Sequence, residues 1–207
     1  APALLINDAW QNPFAYLAAA GDFDRQFTQF HEIGGRFFSV YGEIGNGPDG
    51  FDSAACDGPF FQLLKSAPDA LGFPRIDLSA PAWWLARYPE ERVVFDDGST
   101  GLQSFFSERW LEEAEKWLEA YARYVRSAPY RGHVIGVHIC TGYTGEWQSW
   151  GLWDDRRGDF SEPAKRAWVR YLTRKYGTDE AISRAWGRTV TLAQAPMPDR
   201  ERREKAG

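Results

Sequence analysis

The stretch Val134-Ile135-Gly136-Val137-His138-Ile139-Cys140 decides the architecture. It is apolar at nearly every position instead of at alternate ones. That pattern predicts a strand buried on both faces, and such strands belong to parallel sheets covered by helices. Upstream, residues 107–127 carry Trp110, Ala114, Trp117, Tyr121 and Tyr124 as one stripe, with Leu111, Leu118 and Val125 beside it. That spacing predicts a helix. Glu108, Glu112, Glu113 and Glu115 crowd its first half, and Arg123 and Arg126 its last turn, which complements the helix dipole.

The alternation extends in both directions. Residues 75–79 and 36–41 read as strands, with a short helix over 60–67 between them. Residues 42–58, rich in Gly, Asp and Asn, read as a loop. A helix with Phe23, Phe27 and Phe30 at i, i+4 and i+7 is capped by Asp22 or Asp24 and ended by Gly34. Residues 4–14 read as a short strand running into a polar loop. Downstream, 141–160 is a long polar and aromatic loop. Asp159 and Glu162 form a capping box for a helix whose stripe is Ala164, Trp168, Tyr171 and Leu172. Gly177 ends that helix, and Thr178 caps a short one containing Ile182 and Trp186. The tail 199–207 is charged and reads as frayed or as a solvated helix. The order β-α-β-α-β-α-β-α predicts an α/β domain over 1–198 with a parallel sheet. It suits an open doubly wound sheet or half of a (β/α)₈ barrel. No GxGxxG or P-loop follows any strand, which weighs against the nucleotide-binding versions.

Composition narrows the function classes. The chain has 207 residues, 43% hydrophobic and 26% charged, as in ordinary globular proteins. A net charge of −5 argues against a dedicated nucleic-acid binder. No apolar run approaches the ~18 residues of a membrane span. Cys56 and Cys140 form no metal spacing. The start, Ala1-Pro2-Ala3, carries no signal-peptide pattern, so such a peptide is either absent or removed. Ten Trp, nine Tyr and 14 Phe make the chain 16% aromatic. Flat rings stack on the C–H faces of sugars, and they also fill cores.

In parallel α/β folds ligands bind at the C-terminal ends of the strands. The segments there hold Asn7, Asp8 and Trp10; Tyr41 and Glu43; Asp77, Trp83 and Trp84; and His138, Tyr143, Glu146, Trp147, Trp150 and Trp153. Carboxylates and indoles gather at one end of the sheet, as a carbohydrate site needs. Glycoside hydrolysis takes two carboxylates, one of them a proton donor. Glu146 is the candidate acid, because an indole neighbour would desolvate it and keep its proton in place. The alternative is a solvated Glu146 paired with Arg156 or Arg157. Glu43 reads as a ligand for sugar hydroxyls or a loop salt bridge, and His138 as a pocket residue or a buried one. Asp77, if it faces inward, needs Arg36 or Arg75. Of Trp83 and Trp84, one is free to stack on sugar while the other packs. Trp10, Trp84, Tyr143, Trp147 and Trp150 complete the candidate substrate-binding set. No Ser/His/Asp or Cys/His triad is recognisable.

Four segments carry a family resemblance. Ala82-Trp83-Trp84-Leu85-Ala86-Arg87-Tyr88-Pro89-Glu90 resembles the P-x-W-L-x-x-x-Y-P-E region after the third strand of the β-galactosidase-like enzymes of glycoside hydrolase family 42. Asp96-Asp97-Gly98 resembles their DG turn, and YRGHVIGVHI at 130–139 their fourth strand. WVRYLTRKYGTDEAISRAWG at 168–187 resembles their Tyr-Gly…Ala-Trp-Gly segment and is the most specific of the four. The resemblance implies a (β/α)₈ barrel and a retaining mechanism on a β-linked sugar. The family carries its acid/base Glu after an Asn at the end of strand four; Thr141-Gly142 stand there, and Glu146 is the nearest glutamate. The family's cysteine-rich zinc cluster is absent, so neither metal nor cofactor is expected. Its nucleophile follows strand seven, and a whole barrel takes roughly 250 residues. The expectation is therefore strands one to four of a barrel, lacking the nucleophile. Its partners would be a carbohydrate and either a second copy or another half-barrel chain, with no nucleic acid or membrane. The alternative function is a non-catalytic carbohydrate-binding or self-associating half-barrel.

Overall fold

A computed structural model describes residues 3–6, 8–17 and 21–205, without the Leu152 side chain. In chain order, short strands β1 (Leu4–Ile6), β2 (Ala9–Gln11) and β3 (Ala15–Leu17) precede helix α1 (Phe23–Glu32) and strand β4 (Phe37–Gly42). A small ribbon, β5 (Asn46–Gly47) and β6 (Gly50–Phe51), leads to α2 (Ser53–Ser66) and β7 (Leu71–Asp77). Then come α3 (Ala82–Arg87), β8 (Arg92–Val94), β9 (Thr100–Gln103), α4 (Glu108–Val125) and β10 (His138–Cys140). The chain finishes with α5 (Glu162–Tyr176), α6 (Asp179–Trp186) and α7 (Arg200–Lys205). No helix among the described residues is long and apolar enough to cross a membrane.

These elements form two compact units. The first is Ala1–Leu78 with Glu115–Thr141, and the second is Ser79–Ala114 with Gly142–Gly207.

The first unit holds a four-stranded parallel sheet in the order β10-β7-β4-β3, the arrangement of a half-barrel. One face of the sheet is apolar. Phe38 and Val40 of β4 pack with Phe27 of α1, with Phe60 and Leu63 of α2, and with Ala128 and Tyr130. The rings of Phe60 and Tyr130 stack at 4.6 Å. Gly72 lets α2 lie this close, because a Cβ there would meet the Phe60 ring at 2.9 Å. In register on the opposite face stand Tyr41 beside Arg75, Arg75 beside His138, and Asp77 beside Cys140. Arg75 is buried, with its guanidinium 5.3 Å from the Tyr41 ring centroid.

Several boundaries differ from the sequence reading. The first strand of the sheet is β3; Leu4–Ile6 and Ala9–Gln11 instead form the antiparallel pair β1 and β2. Helix α2 starts at Ser53, inside the expected loop, because Asp52 accepts from the Ala54 and Ala55 amides and Cys56, Phe60 and Leu63 form a buried face. That burial offsets the interior Pro59. The expected doubly buried strand over 134–140 pairs as a strand only from His138, and Ile135, Val137 and Ile139 are exposed. β10 is an edge strand of the sheet, paired on one side only, with β7. Of the two expected caps, Asp22 and Asp24, it is Asp22 that caps α1, through the Arg25 amide. The reading of residues 1–2, 7, 18–20 and 206–207, Asn7 included, lies outside the described residues.

Between α2 and the second half of α4 lies a cluster of groups that hold their protons. Burial, helped by the Asp57, Asp52 and Glu43 charges, pushes the Cys56 thiol up to about 12. Tyr124 donates to Asp57 at 2.6 Å, and this bond, with burial, raises its phenol to about 12. Burial likewise raises Tyr121 and Tyr130. The fold therefore binds these protons more tightly than the unfolded chain does. Their contribution to stability is complete below their ordinary values and fades as pH rises toward 12. The thermal midpoint is expected to hold at about pH 8 and fall steadily above about pH 10, with Tyr124→Phe showing a shallower fall. Melting curves by circular dichroism measure this; a midpoint independent of alkaline pH would contradict it.

The second unit combines the antiparallel ribbon β8–β9 with α3, α5 and α6. Ser161, not Asp159, caps α5, and Thr178 caps α6 as expected. Leu172, Ile182 and Ala195 form its helical core, with Trp168, Tyr176 and Trp186 against them. Asp159 works elsewhere: its Oδ1 accepts from the amides of Val94 and Ser161, and its Oδ2 from the Ser104 hydroxyl. The tail is helical over α7, and Arg200 there grips Asp155 with two 2.9 Å bonds.

Candidate functional site

The loop that follows β10 in sequence gathers the sequence-derived candidates most closely. Its backbone doubles back, with the Tyr143 amide donating to the Gln148 carbonyl at 3.2 Å. Gly142 makes the return possible. Its φ is +85°, and a Cβ would meet the Gln148 carbonyl oxygen at 2.7 Å. Thr144 and Trp147 also hold positive φ, at 60° and 58°. For side-chain-bearing residues this region is costly, and such outliers concentrate at functional sites.

The side chains of this loop form a relay. Trp153 donates its indole N–H to Gln148 Oε1 at 3.0 Å, and Gln148 Nε2 donates to Glu146 Oε2 at 3.3 Å. The Tyr143 and Trp153 rings lie 6.5 Å apart and are tilted by 31°. Trp147 is 56% exposed and Trp153 66% exposed, and Glu146, immediately before Trp147, is exposed as well. The result is an open carboxylate on the loop that also carries Tyr143, Trp147 and Trp153. The desolvation of Glu146 expected from an indole neighbour is therefore absent, because Trp147 turns to solvent. Nor do the expected arginines take Glu146 up: Arg156 pairs with Asp154 at 2.6 Å and Arg157 with Asp155 at 3.1 Å.

The other candidates separate. Trp84 has 0% exposure, so its ring is core and offers no face for stacking. Trp83 is half-buried. Trp150 is half-buried; its indole donates to the Gln103 carbonyl at 2.9 Å and stacks on Phe105. Trp10, Glu43 and His138 belong to the first unit, where all three are exposed, Trp10 by 71%. Asp77 is exposed at the end of β7, and Arg36 bonds to Asp69. On that sheet Cys140 is a buried thiol, its pKa raised by burial and by the Asp77 charge against the opposing Arg75 charge. Among the described residues no group of three or more His, Cys, Asp or Glu is placed to hold a metal ion.

Gln148 is the residue that sequence reasoning missed. A glutamine between two tryptophans carries no signal until the loop folds back and puts its amide between Glu146 and Trp153.

No protein-family model and no curated protein sequence matches the chain. Solved structures do. A β-galactosidase from the psychrophilic Marinomonas ef1 superposes with a TM-score of 0.64 at 18% identity, over 90% of this chain and 29% of that one. A β-galactosidase from Bacillus circulans sp. alkalophilus gives 0.64 at 16% identity, over 90% and 28%. The catalytic domain of a β-amylase from Paenibacillus polymyxa gives 0.62 at 18% identity, over 89% and 51%. The chain thus spans under a third of these β-galactosidases and about half of the β-amylase domain. At these identities the likeness establishes the fold, a partial (β/α)₈ barrel.

Proposed function

We propose that the chain is the part of a glycoside hydrolase, similar to family 42, that carries the acid/base catalyst for a β-linked sugar. The observation that carries this reading is the relay Trp153–Gln148–Glu146 on the loop after the fourth parallel strand. A pyranose stacked on Trp153 or Trp147 would exclude water from Glu146, which sits open without it. Glu146 would then protonate the glycosidic oxygen as the bond breaks. It would afterwards take a proton from the water that releases the sugar from the nucleophile. In this reading the nucleophile comes from outside these 207 residues, on further strands that complete the barrel. The exposed apolar side chains at both edges of the sheet, Phe14 and Leu17 at one and Ile135, Val137 and Ile139 at the other, support such completion.

The test has two arms. Methyl β-D-galactoside should quench tryptophan fluorescence with a Kd of about 1 mM, and Trp153→Ala should abolish the quench. In a barrel-complete form, Glu146→Gln should slow cleavage of an aryl β-galactoside by about 10²–10⁴-fold. Unchanged turnover would remove Glu146 from the mechanism. One observation favours a second reading, a non-catalytic sugar-binding module: Thr141-Gly142 occupy the Asn-Glu positions. Binding without turnover in the complete form would select it.

A further inference from the structure

A cavity of about 400 Å³ lies inside the second unit and is not the Glu146 site. Trp150, Phe105, Phe106, Trp168 and Met197 give it aromatic and apolar walls, and Arg203 and Asp159 are its charged groups. Its volume falls within the range of small-molecule pockets, about 300–1,000 Å³. Both indole N–H groups are already engaged, Trp150 with the Gln103 carbonyl and Trp168 with the Ala195 carbonyl. What the tryptophans offer the cavity is therefore ring surface.

The two charges are not equivalent. Asp159 has both oxygens occupied by the Val94 and Ser161 amides and the Ser104 hydroxyl. Arg203 uses Nε on the Pro198 carbonyl and Nη1 on the Gly158 carbonyl, and its guanidinium lies 4.3 Å from the Phe160 ring centroid. Its Nη2 amino group has no hydrogen-bond partner among the described residues. A planar fork held by two carbonyls and a ring face is pre-organised for an oxyanion.

We infer that this cavity binds a small aromatic carboxylate, its ring against Trp150, Phe105 and Trp168 and its carboxylate on Arg203. The inference does not rest on the glycosidase reading. The cavity includes Ser149 and Trp150, which belong to the same loop as Glu146.

The chain has a single methionine, Met197, and it lines the cavity. Methyl-¹³C-methionine labelling therefore gives one resonance that reports on the site. Titration of the chain with 2-naphthoate should shift that resonance saturably. The neutral isostere 2-naphthylmethanol should bind more weakly. Arg203→Gln should weaken 2-naphthoate by about fivefold or more and leave 2-naphthylmethanol unchanged. Arg203 is half-buried on the short tail helix, and circular dichroism checks that the variant stays folded. No shift, equal binding of the two probes, or an Arg203→Gln variant with unaltered affinity would overturn the inference. So would loss of affinity in Arg174→Gln instead, since Arg174 lines an adjoining groove that also reaches Met197.

Discussion

Trp84→Ala is expected to cost the second unit about 3–5 kcal/mol, the usual range for removing a large buried aromatic. Whole domains are stable by only about 5–15 kcal/mol, so this single change removes a large share. Trp84 has no solvent exposure, and its ring centroid lies 5.1 Å from that of Tyr88. Its indole N–H is buried with no hydrogen-bond partner among the described residues. Trp84→Phe should therefore lose less than alanine does, because it keeps an aromatic ring and removes an unsatisfied donor. Urea melts followed by circular dichroism measure both variants. If Trp84→Ala melted like the parent and lost only sugar binding, the residue would be a stacking platform after all.

Asp159→Ala is expected to cost about 3–5 kcal/mol, since it strands two backbone amides and a hydroxyl that each lose an acceptor. Ser161 lies two residues after Asp159, whereas Val94 and Ser104 lie 65 and 55 residues before it. The carboxylate therefore ties the β8–β9 ribbon to the entrance of α5. Asp159→Asn keeps one acceptor oxygen for the two amides, and should lose about 1–2 kcal/mol by weakening the Ser104 bond. Chemical denaturation read at the midpoint separates the pair. Equal midpoints for Asp159→Ala and the parent would mean that these bonds add nothing to stability.

Local signals survived folding where they depended on a few neighbouring residues. Asp22 and Thr178 cap the helices they were expected to cap. The α4 stripe buries Trp110, Ala114, Trp117 and Tyr121 as its period demands. The Tyr143, Glu146 and Trp147 group was legible as residue types. Its hydrogen bonds through Gln148 were not, because they need the chain to reverse at Gly142. Asp159 was legible as a polar residue before a helix, but two of its three partners, Val94 and Ser104, lie in a distant segment.

The sequence by itself determined the alternation of strands and helices and the caps at Asp22 and Thr178, because period, capping chemistry and turn residues act over a few positions. Only the tertiary structure decided which aromatic rings are core and which meet water. Trp84 and Trp147 carry the same side chain, and both read as candidate stacking rings, yet one is enclosed and the other open. That difference, like the cavity beside Arg203, depends on what distant segments bring up against a residue. No local pattern encodes it.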